Sequence, residues 1–519
     1  MEGNELRLLK KGHSGIRQLL FSRMTVVLIL LIVQLLMLAV LFLWFEDYHL
    51  HYFGSSAVLA VVMVLFLQNR HMNPAARSSW TVLVMALPVF GTLLYLFTEL
   101  ELGRNLLRSR VNKVTRESAP LLKQDPQVKA ELTASDPAAG SMCSFAEGIS
   151  AGLVWKNTEV TYLPLGERKL EMLLEELEKA KKFIYLEYFI VSEGVMWGKI
   201  LDVLARKAAQ GVDVRVMYDG TCEFMLLPKD YPQKLERLGI RCKVFSPLDI
   251  FVSTHYNFRD HRKILVIDGH TAFNGGINLS DEYINVGCKF GHWKDTAVML
   301  KGDAVRSFTR MLLQMWNLDS RTPDYQALEE VTPPIQAKGY VMPFCDNPMD
   351  HVRVGQRVYM DMIGRATACV DIMTPYLIID EEMENTLRYA AARGVRVRLL
   401  LPGVADKYVP YALAKTHYRP LLESGVEIYE YTPGFVHAKI VSVDGREAVV
   451  GTINFDYRSF CHHFECGTWM RDCGCLDSIR QDFEYCFSVS RRVTGETIRH
   501  EKWHRRLIGF LLKGFEPLL

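Results

Sequence analysis

Residues 261–268 read HRKILVID and residues 437–444 read HAKIVSVD, so the pattern His-x-Lys-(x)4-Asp occurs twice in this chain of 519 residues. Side chains two positions apart on a β-strand share a face, so the His and Lys of each copy point into the same space. The residues between Lys and Asp are mostly aliphatic and would anchor the strand in a core. A glycine and an asparagine follow each copy, in the segments 276–278 and 451–454. We interpret these segments as tight backbone that offers donors to an anion.

The chain repeats itself around the two copies. In each half, a helical stretch precedes an apolar run, and a second helical stretch leads to a short strand opened by glycine. The predicted strands are 183–191 and 212–218 in the first half, and 370–379 and 395–401 in the second. This alternation predicts an α/β fold with two pseudo-symmetric halves that share one active site, with parallel strands and crossover helices.

The residue types of the two motifs indicate phosphodiester transfer. Histidine serves as a nucleophile or as an acid and base near neutral pH, and lysine supplies a compact positive charge. One histidine would attack phosphorus while the other protonates the leaving alcohol. The two lysines would neutralise the developing charge, so no metal or other cofactor is required. The candidate catalytic residues are His261, Lys263, Asp268, His437, Lys439 and Asp444, and the candidate phosphate-binding residues are Asn278 and Asn454. We expect the two aspartates to support the strand and the loop more than the chemistry.

Composition narrows the class of protein. The net charge of +2 argues against a nucleic-acid binder that works by bulk charge and leaves local basic patches as the alternative. Eleven cysteines, an odd number, cannot form a fully paired disulfide framework. Cys473 and Cys475 lie near Cys466, His462 and His463, so a zinc site is one alternative. Zinc ligands usually come as two spaced pairs, which favours reduced cysteines in a cytosolic domain.

Three apolar stretches occur in the first hundred residues, at 24–45, 53–67 and 80–98. The first and the third are long enough to span a bilayer, and the second is shorter and marginal. Basic residues before the first stretch and after the third indicate that the N-terminus and the catalytic domain both lie in the cytoplasm. Three full spans would contradict that pattern. We therefore expect a multi-pass protein of the plasma membrane in which either one stretch is re-entrant or the charge rule fails at one end.

These features divide the chain into four parts. Residues 1–110 are a membrane anchor with two or three hydrophobic helices, and residues 111–150, rich in Pro, Ala, Ser and charge, read as a linker. Residues 151–345 and 346–519 are the two halves. The second half ends in an amphipathic helix after Trp503, which either lies on the membrane surface or packs on the catalytic domain.

The chain resembles the phospholipase D superfamily and, within it, the bacterial cardiolipin synthases. The resemblance covers nearly the whole chain and rests mainly on NFRDHRK at 257–263, GGIN at 275–278, WKD at 293–295, TPY at 374–376, GFVHAK at 434–439 and NFDYRS at 454–459. It implies transfer of a phosphatidyl group from one phosphatidylglycerol to another, giving cardiolipin and glycerol through a phosphohistidine. The implied partners are phosphatidylglycerol and membrane lipids, without nucleic acid.

The resemblance also implies roles for single residues. His261 would be the nucleophile and His437 the acid and base, while Asp295 and Glu465 would be the carboxylates that orient the histidines. One departure from the family concerns His463, which stands where asparagine is common before the glutamate.

Two other enzymatic functions use the same chemistry. A phosphodiester nuclease would need a basic groove, and the near-neutral charge and the apolar N-terminal region weigh against it. A phospholipid hydrolase differs only in the acceptor, because water and alcohol compete for the same phosphohistidine and the dryness of the pocket decides between them. A non-enzymatic scaffold is disfavoured because it has no use for two intact motifs.

Overall fold

The structure is a computed structural model, and it describes residues 32, 36, 39–40, 49–70, 72–99, 102–150, 152–245, 258–330, 335–350 and 352–516. The predicted apolar stretch at 24–45 and the basic residues before it therefore lie almost entirely outside the described residues. The chain forms two compact units, one within 107–247 and 257–509, and the other containing the helices before residue 107.

The α-helices of the described residues are numbered here in chain order. They are α1 His49–Asn69, α2 Pro74–Ala86, α3 Pro88–Glu99, α4 Leu102–Ser118, α5 Pro126–Ser135, α6 Pro137–Ser150, α7 Gly166–Glu178, α8 Val195–Ala209, α9 Thr221–Met225, α10 Tyr231–Arg237, α11 Val305–Trp316, α12 Val354–Arg365, α13 Glu381–Ala392, α14 Tyr408–Glu423, α15 Tyr457–Cys461, α16 Leu476–Ser488, α17 Gly495–Arg499 and α18 Trp503–Lys513.

The β-strands follow the same numbering. They are β1 Thr158–Leu163, β2 Phe183–Tyr188, β3 Asp213–Asp219, β4 Arg241–Phe245, β5 Arg259–Asp260, β6 Lys263–Ile267, β7 Thr271–Gly275, β8 His292–Lys294, β9 Ala297–Gly302, β10 Tyr340–Asp346, β11 Cys369–Met373, β12 Leu377–Ile378, β13 Arg396–Pro402, β14 Glu427–Tyr431, β15 Gly434–Val436, β16 Ile440–Val443, β17 Glu447–Gly451, β18 Phe455–Asp456, β19 His463–Arg471 and β20 Ser490–Arg492.

The larger unit contains two large sheets whose first seven strands follow the same order, and the second sheet adds β20 at its edge. The first sheet runs β1-β9-β7-β6-β2-β3-β4, and the second runs β10-β19-β17-β16-β11-β13-β14-β20. A buried apolar cluster takes residues from both sheets, among them Ile264, Ala272, Ile440 and Val450. The mixed α/β fold and the two-half repeat that the sequence predicts are confirmed.

The prediction of parallel strands is correct for only part of each sheet. Strands β2, β3 and β4 are parallel, as are β11, β13 and β14. The motif strands β6 and β16 instead pair antiparallel with β7 and β17. The reason is the short turn after Asp268 and after Asp444, because a connection of a few residues can return a strand only in the antiparallel direction.

Two short strand pairs connect one half to the other. Strand β5, just before His261, pairs in parallel with the start of β19, and β15, just before His437, pairs in parallel with β8. Each histidine therefore emerges beside a strand that belongs to the opposite half. These two pairs position the site.

Helix α13 illustrates how the sequence forms the layers around the sheets. The Asp380 side chain accepts the backbone N–H of Met383 and so caps the helix, and glutamates occupy the first turn, where the helix dipole favours negative charge. Met383, Leu387 and Ala390 recur at helical spacing and are buried.

The N-terminal unit differs from the predicted set of spans. Helix α1 is the one described helix that is long and apolar enough to cross a membrane. The stretch 80–98, predicted as one span, is two helices, because α2 ends at Ala86 and α3 begins at Pro88, whose ring and missing N–H interrupt a helix. Trp80 and Tyr95 pack with Met63 and Leu67 of α1 in one apolar cluster.

The stretch 111–150 also differs from the linker that its composition predicts. It is largely helical, and the buried residues of α5 and α6, among them Leu132, Met142 and Ala146, belong to the core of the second half. Asp125 caps α5, and proline occupies the first position of both helices, which is compatible with a helix start. Its Pro and Asp residues therefore serve as helix starts and caps.

Candidate active site

The two motif histidines each contact a carboxylate from the opposite half. Nδ1 of His261 lies 2.9 Å from Oε1 and 3.0 Å from Oε2 of Glu465. Nδ1 of His437 lies 2.6 Å from Oδ2 of Asp295. All four side chains are buried. Each histidine contacts a carboxylate of the other half because β5 pairs with β19 and β15 pairs with β8. These pairs bring each histidine next to the strand that carries or directly precedes its partner.

These contacts fix the tautomer of both rings. A carboxylate accepts a hydrogen bond from Nδ1–H, so Nε2 of each neutral imidazole keeps its lone pair. Burial lowers the pKa of His261 to about 3 and the pKa of His437 to about 4, although Glu465 and Asp295 act in the opposite direction. Both imidazoles are therefore neutral at physiological pH, which is the form a nucleophile needs.

The motif lysines are buried beside the histidines. Nζ of Lys263 donates to the carbonyl of His261 at 2.6 Å, and Nζ of Lys439 donates to the carbonyl of His437. Burial lowers the pKa of Lys263 to about 7 and the pKa of Lys439 to about 8, and each lysine lowers the pKa of a group in the other motif. Because both lysines act on the same space, a bound phosphate would favour their charged form.

Lys439 and Asp295 both approach Nδ1 of His437. The Lys439 ammonium lies 2.7 Å from that nitrogen and 3.9 Å from the Asp295 carboxylate. Nδ1 carries one hydrogen at most, and an ammonium has no acceptor. We assign that hydrogen to the bond with Asp295, because a carboxylate is the stronger acceptor, and the lysine then contributes charge.

Each orienting carboxylate has its own support in the backbone that follows the motif. Asp295 reaches over Gly276, where a Cβ would lie 2.2 Å from the carboxylate oxygen. Glu465 is one methylene longer, and the equivalent position holds Thr452, whose hydroxyl donates to the carboxylate. Gly276 thus leaves room for the carboxylate of Asp295, whereas Thr452 donates a hydrogen bond to the carboxylate of the longer Glu465 side chain.

The two predicted asparagines differ in their surroundings. Asn278 is fully engaged within the protein, because Oδ1 accepts the backbone N–H of Ile190 at 3.1 Å and Nδ2 donates to the Tyr283 hydroxyl at 2.7 Å. Asn454 is buried, and its Oδ1 has no hydrogen-bond partner among the described residues.

The two motif aspartates do not join the site. Asp268 accepts the backbone N–H groups of Lys181, Lys182 and Phe183, each at 2.8 Å. Asp444 accepts those of residues 367–369 in the same way. Both have positive φ, 51° and 53°, in the turn that closes the hairpin. These contacts favour the expected supporting role of the two aspartates over the candidate catalytic role, which stays a prediction.

One buried lysine near the site was not predicted from the sequence, and neither was the contact of two aromatic residues with His437. Lys169 on α7 is fully buried, donates to the carbonyl of Ile277 at 2.9 Å, and has a pKa that burial lowers to about 7. The only signal for it was a lysine among the apolar positions of an amphipathic helix. The rings of Tyr283 and Trp293 lie 5.5 and 5.4 Å from the His437 ring.

The cysteines do not form a metal cluster. Cys473 contacts the carbonyl of Tyr340, Cys475 contacts the sulfur of Met470, and Cys466 accepts from Asn274. All eleven cysteines are free thiols. Among the described residues, the one group of His, Cys, Asp and Glu donors with metal spacing consists of His261, His463 and Glu465.

Two neutral imidazoles, two buried lysines and two crossed carboxylates can carry out nucleophilic substitution at phosphorus. One Nε2 can attack while the other ring moves the proton of an alcohol, and the lysines can stabilise the charge that develops on the phosphate oxygens.

Comparisons with known proteins agree with this chemistry. The family described as "Cardiolipin synthase, PLD-like domain" matches residues 173–316 and 359–487. A cardiolipin synthase of Geobacillus kaustophilus is 33% identical over 477 residues, which cover 90% of this chain and 93% of that protein. A Streptococcus mutans protein named "Uncharacterized protein" is 49% identical over 459 residues, covering 88% of this chain and 99% of that one.

A solved structure shares the fold. The crystal structure of phosphatidylserine synthase from Haemophilus influenzae superposes with a TM-score of 0.55 at 16% identity, covering 72% of this chain and 97% of that chain.

Proposed function

This chain belongs to the cardiolipin synthase family of proteins with phospholipase D-like domains, and from that premise we propose that it is a phosphatidyltransferase that makes cardiolipin. It joins two phosphatidylglycerol molecules and releases glycerol. The observation that carries the proposal is the crossed pairing of His261 with Glu465 and of His437 with Asp295. That pairing gives one buried site two equivalent acid–base groups, and a transfer in two mirrored steps uses both.

In the first step, Nε2 of His261 attacks the phosphorus of phosphatidylglycerol. The bond from phosphorus to the glycerol headgroup breaks, and His437, protonated at Nε2, gives its proton to the departing glycerol oxygen. The products are phosphatidyl-His261 and free glycerol. The anionic substrate brings the charge that favours the protonated form of His437, which burial alone disfavours.

In the second step, a hydroxyl of a second phosphatidylglycerol enters. The now neutral His437 takes its proton, the oxygen attacks phosphorus, and the bond from phosphorus to His261 breaks. Cardiolipin leaves and both histidines return to their starting state. Lys263, Lys439 and Asn454 line the phosphate site, while Asn278 positions the adjacent backbone through its bonds to Ile190 and Tyr283.

Transfer to an alcohol requires that water stay out. The side chains of His261 and His437 are 8% and 11% exposed, and aromatic rings cover both. A dry site supports transfer over hydrolysis, because water reaches the phosphohistidine less often than a bound lipid hydroxyl.

The N-terminal region supports a multi-pass arrangement in the plasma membrane with the catalytic halves in the cytoplasm. Helix α1 has 21 residues, enough for about 30 Å of hydrocarbon. Helices α2 and α3 have 13 and 12 residues and reach only about 20 Å each, so neither crosses alone. One more crossing at 24–45 would return the N-terminus to the side of the catalytic halves, in agreement with the basic residues at both ends.

The proposal is tested by supplying the purified full-length protein with phosphatidylglycerol in detergent micelles. Cardiolipin and free glycerol in equal amounts are the expected products. Phosphatidic acid with glycerol and without cardiolipin would contradict synthesis and identify a hydrolase.

A further inference from the structure

His463 forms a compact donor group with two residues of the active site. Its Nδ1 lies 3.4 Å from Oε1 of Glu465, the same oxygen that lies 2.9 Å from Nδ1 of His261. The ligand atoms of the three residues lie within 4.8 Å of one another. The His463 side chain is 11% exposed, and its Nδ1 makes no hydrogen bond within the described residues.

We propose that His261, His463 and Glu465 bind zinc or a similar divalent cation, and that the bound cation inhibits the enzyme. Two imidazoles and one carboxylate are a donor set of three-ligand zinc sites, which leave a fourth position open. Bond lengths of about 2.0–2.2 Å in a tetrahedral site place neighbouring donor atoms about 3.4 Å apart. The two distances to Glu465 are already at or below that spacing, and the donor atoms of His261 and His463 lie within 4.8 Å of each other.

Inhibition follows from the position of His261 in the group. A cation bound at Nδ1 of His261 would take the place of the hydrogen that this nitrogen donates to Glu465, and the neutral ring would then carry its hydrogen on Nε2, the atom that attacks phosphorus. The ring would then be a poorer nucleophile and no longer held in its attacking orientation. This part rests on the proposed function, whereas the cation site itself rests only on the three donors.

Among the described residues, no such donor group surrounds His437, although the geometry on that side of the site is the same. Trp293 occupies the position equivalent to His463, and its ring lies 5.4 Å from the His437 ring, compared with 5.3 Å between His463 and His261. An indole N–H only donates hydrogen bonds and has no lone pair for a metal. The cation site is therefore specific to the side of the active site that holds His261.

Binding is tested on metal-free, full-length protein in detergent. Zinc is titrated against a chromogenic chelator, and cobalt is added separately to follow the visible absorption of a four-coordinate site. The wild type should bind one equivalent that His463→Asn does not bind, with its affinity lowered at least about tenfold. His462→Asn, one residue away and outside the donor group, is the matched control and should keep that equivalent. Equal stoichiometry and affinity in the wild type and His463→Asn would overturn the site.

Inhibition is measured in the same micelles with phosphatidylglycerol, as the ratio of each protein's rates with and without zinc. Saturating zinc should lower the rate of the wild type and of His462→Asn at least about tenfold, and should leave that of His463→Asn unchanged. Equal inhibition of all three proteins would place the effect elsewhere and overturn the proposal. If His463→Asn melts at lower temperature, His463→Gln replaces it.

The two proposals fail separately. Absence of cardiolipin in every zinc-free sample, together with the extra zinc equivalent in the wild type, would remove the proposed function and leave the cation site in place.

Discussion

The two halves of the catalytic unit share their strand order and differ in the buried side chains next to the motif strands. Side chains that point to the other side of the sheet from His261 and Lys263 include buried charged groups. The side chains at the equivalent positions around His437 and Lys439 are apolar. The first-half residues are Glu187, Asp260 and Arg262, and the residues at the equivalent strand positions are Met373, Val436 and Ala438.

The charged layer is a close cluster. Oε1 of Glu187 lies 3.7 Å from Arg262, and the Asp260 side chain accepts the backbone N–H of Arg262. Burial, with Asp260 nearby, raises the pKa of Glu187, and burial raises the pKa of Asp260 to about 6. The apolar residues at the equivalent positions of the second half avoid the free-energy cost of burying charged groups. The two halves therefore share the histidines, lysines and carboxylates of the site but differ in the residues on the other side of the sheet. This difference allows the two histidines to perform different tasks.

The largest expected effect separates the two histidines. His261→Ala and His437→Ala should each lower turnover of phosphatidylglycerol by about 10⁴-fold. A phosphatidyl ester of p-nitrophenol has a leaving group that needs no proton. On that substrate, release of nitrophenol should recover in His437→Ala and stay absent in His261→Ala. Recovery in His261→Ala alone would reverse the two roles.

Variants of Asp295 and Glu465 test whether each half depends equally on the carboxylate that the other half supplies. Asp295→Asn and Glu465→Gln should each lower turnover by about 10²-fold or more, because an amide no longer favours the Nδ1–H tautomer. Thermal unfolding of each variant in detergent is the control for folding. Normal turnover in either variant would mean that the histidine facing it keeps its geometry without the carboxylate.

The buried charges test the difference between the halves directly. Glu187→Met leaves the Arg262 guanidinium, which cannot lose its proton, with Asp260 as its one remaining carboxyl in this cluster, and should destabilise the fold by about 1–3 kcal/mol. Adding Asp260→Val and Arg262→Ala converts the layer to the residues of the second half and should restore most of that loss. The measurement is the thermal unfolding midpoint of the single and triple variants. A triple variant less stable than the single one would show that the charges support the fold.

Lys439 gives a pH dependence with a defined sign. Burial lowers its pKa to about 8, so the ammonium is present below that pH and is lost above it. Binding of an anionic phosphate needs both ammonium groups, so kcat/KM should fall about tenfold per pH unit above about pH 7, where Lys263 loses its proton, and about a hundredfold per unit above about pH 8, where Lys439 loses its proton as well. Lys439→Arg keeps its charge and should remove the steeper decline above about pH 8 while the decline due to Lys263 stays, even if its maximal rate is lower. An unchanged decline in the variant would assign it to another group.

The smallest effect is expected at the motif aspartates. Asn tolerates the positive φ of Asp268 and Asp444, but it replaces a carboxylate that accepts three backbone N–H groups. Asp268→Asn and Asp444→Asn should therefore lower stability by about 1–2 kcal/mol and leave turnover within a few-fold of the wild type. A loss as large as that of the histidine variants would return these residues to the catalytic set.

Much of the fold could be predicted from the sequence because it depends on local patterns. The spacing of His261 and Lys263 on one strand, and its repetition at His437 and Lys439, identified the chemistry. The glycine-opened strands and the helices between them identified the halves. Local patterns failed where a single residue or a short turn prevailed over average composition, as at Pro88 in the predicted span and at the turns after the two motifs.

The sequence by itself determined that the His-x-Lys-(x)4-Asp pattern occurs twice, and it predicted that the histidines and lysines of the two copies carry the reaction. Only the tertiary structure decided which carboxylate serves which histidine. His261 and Glu465 are 204 residues apart, and His437 and Asp295 are 142 apart. Each pair forms because a strand of one half aligns with a strand of the other, and no pattern within either half encodes that alignment. The exchange of partners follows from the packing of the two sheets against each other, which buries apolar side chains from both.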